Sequence, residues 1–496
     1  MKMKISNKII GITALAIVAL SSCKKDFLDI NRNPNAATTA TPELVLPSAL
    51  ATTGARMNPA SAPNTWYNGW MGYWAISGSY AISSSDFTTY KQTTGTADGI
   101  WQGTYDNLED YYFVKTQAHA QNKPFYEAAA RVMMSYNFQI LVDLFGNVPY
   151  TEAFGGTGNI HPKYDDQKAI YVDLIKQIDT AITLFKRADA KGSASSDIMW
   201  GGSNAKWIRF ANTLKLRILM RQSEVNAAYV QTQIANIVAE GSGFLKAGED
   251  AQVNPGYSTA QANPFFASNF NVSGTYINDF WRANQFSINF FKNNNDPRLT
   301  QVYAPSGTGK YQGNSIGQIG GLVGSDASIF GPGTLKSASQ SAMIMPASES
   351  FFLQAEATLR GWLNGPSAQT LYETGVAESF RYLAVPNYAS AAATYVSQVN
   401  NKNTTWAATS TFAEQLALII RQKWASENTI MPIEAYDDYR RLHLPPDVPL
   451  SVSPYVDVLA IPLRFLYPAS EYQTNADNVN AQGTINHHTT KIFWMP

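Results

Sequence analysis

The sequence predicts a mainly α-helical protein, built from helix pairs with an irregular, loop-rich lobe packed on them. Three observations carry that expectation. Apolar residues recur near the 3.6-residue helical period in several long windows. Gly, Pro and Asn punctuate those windows where helices would stop and turn. Two stretches, 58–104 and 250–340, abandon the period and gather aromatic rings or Gly, Ser, Asn and Pro instead.

The chain opens on a basic start, Lys2, Lys4 and Lys8, followed by an apolar run from Ile9 to Leu20. This is the plan of a signal peptide over residues 1–22, because a run of that length cannot cross a bilayer core of ~30 Å as a helix. Leu20-Ser21-Ser22 then precedes Cys23, the only cysteine of the chain. That arrangement resembles a bacterial lipobox, which implies cleavage before Cys23 and lipid attachment to it. Two or more acyl chains hold a protein firmly to a membrane. Residues 23–41, dominated by turn formers, read as a lipidated tether, and 42–496 as one domain. A single cysteine allows no internal disulfide. No later stretch approaches ~18 uninterrupted apolar residues, so no transmembrane helix is expected.

Lys123 to Phe145 reads as a helix entered through Pro124 and ended near Gly146. Asp166 to Arg187 carries Ile170, Leu174, Ile178, Ile182 and Phe185 at helical spacing. Asn204 to Arg221 places Trp207, Ala211, Leu214 and Ile218 on one face; Lys206, Arg209, Lys215 and Arg217 read as a solvated face around it. Glu349 to Leu363, Gly365-Pro366 and Ala368 to Leu383 form two helices and a turn about the size of a ~34-residue tetratricopeptide unit. Thr411 to Ser426 and Glu434 to Leu442 look like another pair. Helix pairs at 166–221, 349–384 and 411–442 thus suggest a tetratricopeptide-like α/α superhelix. Trp66, Trp70 and Trp74 recur at i, i+4 and i+8, the spacing of a buried helix face. Loops as long as 250–340 are usually functional or disordered. Pro445 to Pro496 promises little regular structure.

Lys plus Arg equals Asp plus Glu at 37 each, so no electrostatic feature points to nucleic acid. Charged residues are 15% of the chain, below the ~25% of typical domains, and aromatics reach 12%. Rings and amides suit neutral polar ligands, sugars or peptides. Catalytic motifs fail. Gly313-Asn314-Ser315-Ile316-Gly317 matches a nucleophile elbow in letters but lacks the strand before it and the helix after it. Gly309-Lys310 is followed by Tyr311, which breaks the phosphate-loop pattern. His119, His161, His443, His487 and His488 form no zinc motif. Glu109-Asp110, Asp165-Asp166 and Asp437-Asp438 read as helix surface or helix-start charge rather than an acid–base pair. No catalytic residue, metal ligand or cofactor is expected, and a surface hydrolase is the weakest alternative.

The chain resembles the SusD/RagB family of Bacteroidetes outer-membrane lipoproteins, in its SusD-like subgroup. The shared features, in order, begin with Cys23-Lys24-Lys25-Asp26-Phe27-Leu28-Asp29 and Leu141-Val142-Asp143-Leu144-Phe145-Gly146-Asn147-Val148-Pro149-Tyr150. Lys206 to Arg217, Asn295-Asp296-Pro297-Arg298-Leu299, Glu349 to Ala357 and Arg421-Gln422-Lys423-Trp424 follow. Glu434 to Arg441 and Pro462 to Pro468 complete the series. The resemblance implies a tetratricopeptide-like platform carrying an irregular lobe, and a role in binding rather than catalysis. It implies a lipid-anchored location at the outer membrane, facing the exterior, and capture of an oligosaccharide or, alternatively, a peptide. The implied partner is a TonB-dependent, SusC-like transporter. The shared motifs read as scaffold; Glu356, on an apolar helix, is expected to pair with an arginine. Family ligand contacts lie in variable loops, so site residues come from this chain's own rings. Trp74 and Tyr80 stand where the chain turns Ser- and Gly-rich. Phe270, Tyr276 and Trp281 flank a Gly274 turn. Arg282 could supply a fork of donors.

Overall fold

The computed structural model describes residues 40–81 and 84–496. Cys23, the leader and nearly all of the tether lie outside the described residues. From Pro42 onward the major helices are α1 (Pro42–Arg56), α2 (Asn64–Trp70), α3 (Asp98–Ala120), α4 (Pro124–Phe145), α5 (Gln167–Phe185), α6 (Asn204–Arg221) and α7 (Ala227–Glu240). They continue with α8 (Gln285–Asn293), α9 (Ala347–Leu359), α10 (Ala368–Tyr382), α11 (Tyr388–Val396), α12 (Phe412–Glu427) and α13 (Pro432–Leu442). Among the described residues no helix is long and apolar enough to cross a membrane.

Local chemistry sets the helix ends. The Asp166 side chain accepts from the Ala169 N–H at 2.9 Å and so starts α5. Thr411 and Glu414 form a capping box at the start of α12. Gly146 ends α4 with a φ of 77°. The helices α3 to α6 pack on one another in sequence; α9 packs on α10 and α12, α10 on α11, and α12 on α13. The three expected helix pairs are therefore present, and the fold is the tetratricopeptide-like one. Helix α3 lies partly within a stretch read as aperiodic. Its buried face includes Thr104 and Asn107 among the apolar side chains, which blurs the hydropathy stripe. Asn107 is satisfied by accepting from Thr53 Oγ1 at 2.7 Å and donating to the Ala49 carbonyl at 3.0 Å.

Much of the basic face expected on α6 is not solvated, although Lys206 stays half-exposed. Arg217 is buried and grips Glu349 with two bonds of 2.7 Å, while its third nitrogen stands 3.3 Å from Glu434. Lys215, also buried, reaches Asp179 at 2.6 Å, and Arg209 clasps Glu249. Asp437 and Asp438 are likewise internal rather than on a helix surface: Arg221 binds Asp437 at 2.7 Å, and Lys423 binds Asp438 at 2.7 Å. Glu356 does pair with arginine, receiving Arg441 at 2.6 and 2.7 Å and Arg360 at 2.9 Å. Five buried cations (Arg217, Arg221, Lys423, Arg440, Arg441) thus share the helix interfaces with seven buried carboxyls (Asp143, Glu349, Glu356, Glu427, Glu434, Asp437, Asp438).

The lobe is made differently. Among the described residues the strands, most of them in the lobe and β2 and β3 between scaffold helices, are two to four residues long: β1 (Trp74–Ile76), β2 (Val148–Pro149), β3 (Tyr164–Asp165), β4 (Ala251–Val253), β5 (Trp281–Ala283), β6 (Tyr303–Ala304), β7 (Ile329–Phe330) and β8 (Ala342–Met345). They form, among the described residues, four antiparallel ribbons, β1–β5, β2–β3, β4–β8 and β6–β7. Around Ser315 the backbone makes an isolated bridge at Asn314 and no helix follows, so the nucleophile-elbow geometry is absent.

Candidate functional site

The ribbon β1–β5 joins the aromatic N-terminal stretch to the irregular lobe. Its register pairs Trp74 with Ala283, Ala75 with Arg282 and Ile76 with Trp281. The Ser77 N–H extends it to the Phe280 carbonyl at 2.9 Å. Successive side chains on a strand point to opposite faces. Trp281 accordingly turns inward to Trp74, with ring centres 5.6 Å apart, and meets Phe87 edge-on at 5.4 Å. Phe280, just before β5, stands edge-on to Trp281 at 4.9 Å and meets Tyr80 edge-on at 4.9 Å. Tyr80 is 41% exposed and Phe280 half-buried. A surface ring pair results, braced from below by indoles.

The loops beside this pair are pinned by amides. Buried Asn314 donates to the carbonyls of Ile76 and Leu322, both at 2.9 Å, and accepts the Leu322 N–H at 2.7 Å. The Gly78 N–H bonds the Leu322 carbonyl at 2.8 Å. Arg282 ties the next layer: Nε donates to the Gly324 carbonyl, Nη1 to the carbonyls of Asn278 and Trp281, and Nη2 to Asp279 at 2.6 Å. Next to it opens a cleft of about 400 Å³ whose wall includes Tyr276, Ile277, Asp279, Ser306, Ser325 and Ile329. That volume lies within the ~300–1,000 Å³ of small-molecule sites. Burial raises the Tyr276 phenol above its ordinary pKa, so it stays a neutral donor, and among the described residues its hydroxyl has no hydrogen-bond partner.

The wall of that cleft is mainly apolar and small-polar, and its one guanidinium is tied down to Asp279 and to backbone carbonyls. It holds no group poised for turnover, and among the described residues no three acidic, His or Cys side chains could hold a metal. Residues 34–468 match the family SusD-like_2, described as "Starch-binding associating with outer membrane". The chain belongs to this SusD-like family. Its members bind substrate without catalysing turnover. A chitin-binding SusD homologue from Flavobacterium johnsoniae is 25% identical, with a TM-score of 0.76 over 90% of this chain and 98% of its own. A second solved chitin-binding protein is 26% identical, with a TM-score of 0.73 over 92% of this chain and all of its own. A SusD-like protein from Bacteroides thetaiotaomicron, 23% identical, shares the fold with a TM-score of 0.73 over 90% of this chain and 98% of its own. Among curated proteins none matches the chain.

In this SusD-like protein the six residues expected at the site divide. Trp74 is fully buried: its indole N–H donates to Thr429 Oγ1 at 2.8 Å, and its ring packs on Phe265 and Phe330. It belongs to the core because it lies in β1, not on the loop expected for it. Arg282 lines the cleft, yet its donors are spent on backbone and Asp279, so it is a strut rather than a free fork. Phe270 and Tyr276 do flank the Gly274 turn, as a bridged pair with rings 5.4 Å apart. Trp281 is half-buried and braces the surface pair. Tyr80 alone of the six is an exposed ring. Phe280 was missed: it sits in the Asn278 turn just before β5, its ring 4.9 Å from that of Trp281, and no period in the sequence marks it.

Proposed function

We infer that this SusD-like protein captures oligosaccharide at the cell surface and passes it to a TonB-dependent, SusC-like outer-membrane transporter, held to the outer membrane by lipid on Cys23. The observation that carries the ligand reading is the exposed Tyr80–Phe280 pair beside a mainly apolar cleft, in a family described by starch binding. A flat apolar ring matches the C–H face of a sugar, and the hydroxyls can reach the Ser and Asp groups of the cleft wall. The chitin binding of two relatives makes chitooligosaccharides and maltooligosaccharides the first ligands to titrate. The cleft offers no free cation for a peptide carboxylate, so the glycan reading is preferred to the peptide one.

Calorimetric titration of soluble oligosaccharides should give binding that Tyr80→Ala and Phe280→Ala each weaken by ~1–3 kcal/mol, by analogy with base stacking on aromatic side chains. Oligosaccharide affinity unchanged in both variants would remove the ring pair from the site; binding of peptides alone would replace the glycan reading. Cys23→Ser should release the protein from outer-membrane fractions, and retention after a salt wash without the transporter would place the anchor elsewhere.

A further inference from the structure

A second pocket, of about 170 Å³, lies in the helical scaffold where α3, α4 and α5 meet the β2–β3 ribbon. Its floor is aromatic. Tyr112 and Phe154 stack with centres 4.6 Å apart and planes within 19°, and Phe138 stands edge-on to Tyr150 at 4.7 Å. Its polar groups come from three helices. Asp173 Oδ2 accepts the Tyr150 hydroxyl at 2.6 Å and Gln177 Nε2 at 3.1 Å, while among the described residues its Oδ1 takes no hydrogen bond. Arg131 is committed to Glu127 at 2.8 and 3.0 Å and to Gln177.

Lys115 is the unsettled member. Its ammonium lies 4.8 Å from the Tyr112 ring centre, and among the described residues no carboxylate stands within ion-pair distance of it. Burial, and then the Arg131 charge, hold its pKa below the ordinary lysine value, against more distant pulls from Glu127 and Asp173. A half-desolvated cation over an aromatic floor is completed by an anion. A phosphate dianion would meet Asp173 as a like charge. A monocarboxylate that also carries hydroxyl donors satisfies both groups, the carboxylate on Lys115 and a hydroxyl on Asp173 Oδ1, with its ring on the Tyr112–Phe154 stack.

We propose that this pocket binds a sugar bearing one carboxylate, a uronic acid, at a site separate from the Tyr80–Phe280 surface. The test is calorimetric titration of the purified protein with glucuronate, glucose and inorganic phosphate. Glucuronate should bind at least roughly tenfold more tightly than glucose, the worth of one charge-assisted contact, and phosphate should not compete. Lys115→Met should erase the preference for glucuronate and Lys115→Arg should keep it; both should melt like the parent, since Lys115 is partly exposed. Tyr80→Ala should leave glucuronate binding intact. Equal binding of glucuronate and glucose, displacement by phosphate, a preference that survives Lys115→Met, or loss of glucuronate binding in Tyr80→Ala would each overturn the proposal.

Discussion

The helical scaffold and the lobe are held by different chemistry. In the scaffold, charged side chains from α4, α6, α9, α12 and α13 meet in the dry interior, most of them bonding across to another helix. In the lobe many bonds run through backbone and amides: Asn314, with the Gly78 N–H, fastens the Ile76 end of β1 to the Leu322 loop. A buried ion is costly unless its partners are positioned well, so the scaffold tolerates little change. Amide-pinned loops tolerate sequence variation so long as a few anchors stay. The difference teaches where a binding protein of this kind can diversify.

The scaffold side breaks hardest. Arg217→Ala strands Glu349 and half of Glu434's pairing in the interior, and removing one partner of a buried pair costs ~3–5 kcal/mol. Urea unfolding should show a loss of that order; a loss under ~1 kcal/mol would mean that the network is solvated. Trp74→Ala should cost a similar ~3–5 kcal/mol, since the ring is core although it lies in β1 beside the site. A Trp74 variant that kept its stability but lost ligand would return the residue to the surface role that the sequence suggested.

The excess of acid in the scaffold gives a sharper test. Glu427 is fully buried, neither of its oxygens has a hydrogen-bond partner among the described residues, and Lys423 stands 3.6 Å away while bonding Asp438 at 2.7 Å. Burial lifts the Glu427 carboxyl well above the usual carboxylate range, outweighing the attraction of Lys423. A carboxyl raised in the folded state contributes stability while both states keep it protonated, below about pH 4, and loses it as pH climbs toward the folded value. Glu427→Gln removes that loss. Stability measured by urea at pH 5 and pH 8 should therefore fall with pH in the parent more than in Glu427→Gln, with the variant ahead by ~1–3 kcal/mol at pH 8. Parallel pH profiles would show that Glu427 is ionised in the fold.

How much of this could be read from the sequence follows the same division. Helix periods, the helix start at Asp166, the Pro124 entry and the Gly146 stop are local, and all were legible. The Glu356–arginine pairing was legible too, because a lone acid on an apolar helix demands a partner. Lys215 and Arg217 were misread as solvated, because hydropathy cannot tell an exposed cation from one whose carboxylate lies 132 positions away. The two halves of the β1–β5 ribbon lie some 200 residues apart in the chain and are three residues long, too short to announce a strand. Without that pairing, Trp74 and Arg282 looked like surface residues, and Phe280 passed unnoticed beside Trp281.

The smallest effects separate two glycines with nearly the same backbone angle. Gly146, in the scaffold, has φ 77° and ψ −120°, a region open in practice to glycine alone. A Cβ there would meet Arg464 Nη1 at 3.1 Å and Gln167 Oε1 at 3.4 Å, and Arg464 already bonds the Phe145 carbonyl. Gly146→Ala therefore combines backbone strain of ~1–3 kcal/mol with displacement of a buried guanidinium. Gly274, at the tip of the Phe270–Tyr276 turn, has φ 78°, and a Cβ there would meet nothing within 4 Å. Gly274→Ala carries only the left-handed backbone penalty of ~1–2 kcal/mol. Because it falls on a loop tip, much of that is relieved by local adjustment, so the melting temperature should hardly move while exchange of the Thr275 and Ile277 amides quickens. Thermal melting with amide exchange on the two variants checks the contrast. If Gly274→Ala lowered the melting temperature as far as Gly146→Ala, the lobe would be coupled to the scaffold as rigidly as the scaffold is to itself, and variable loops would not be the independent elements that ligand choice requires.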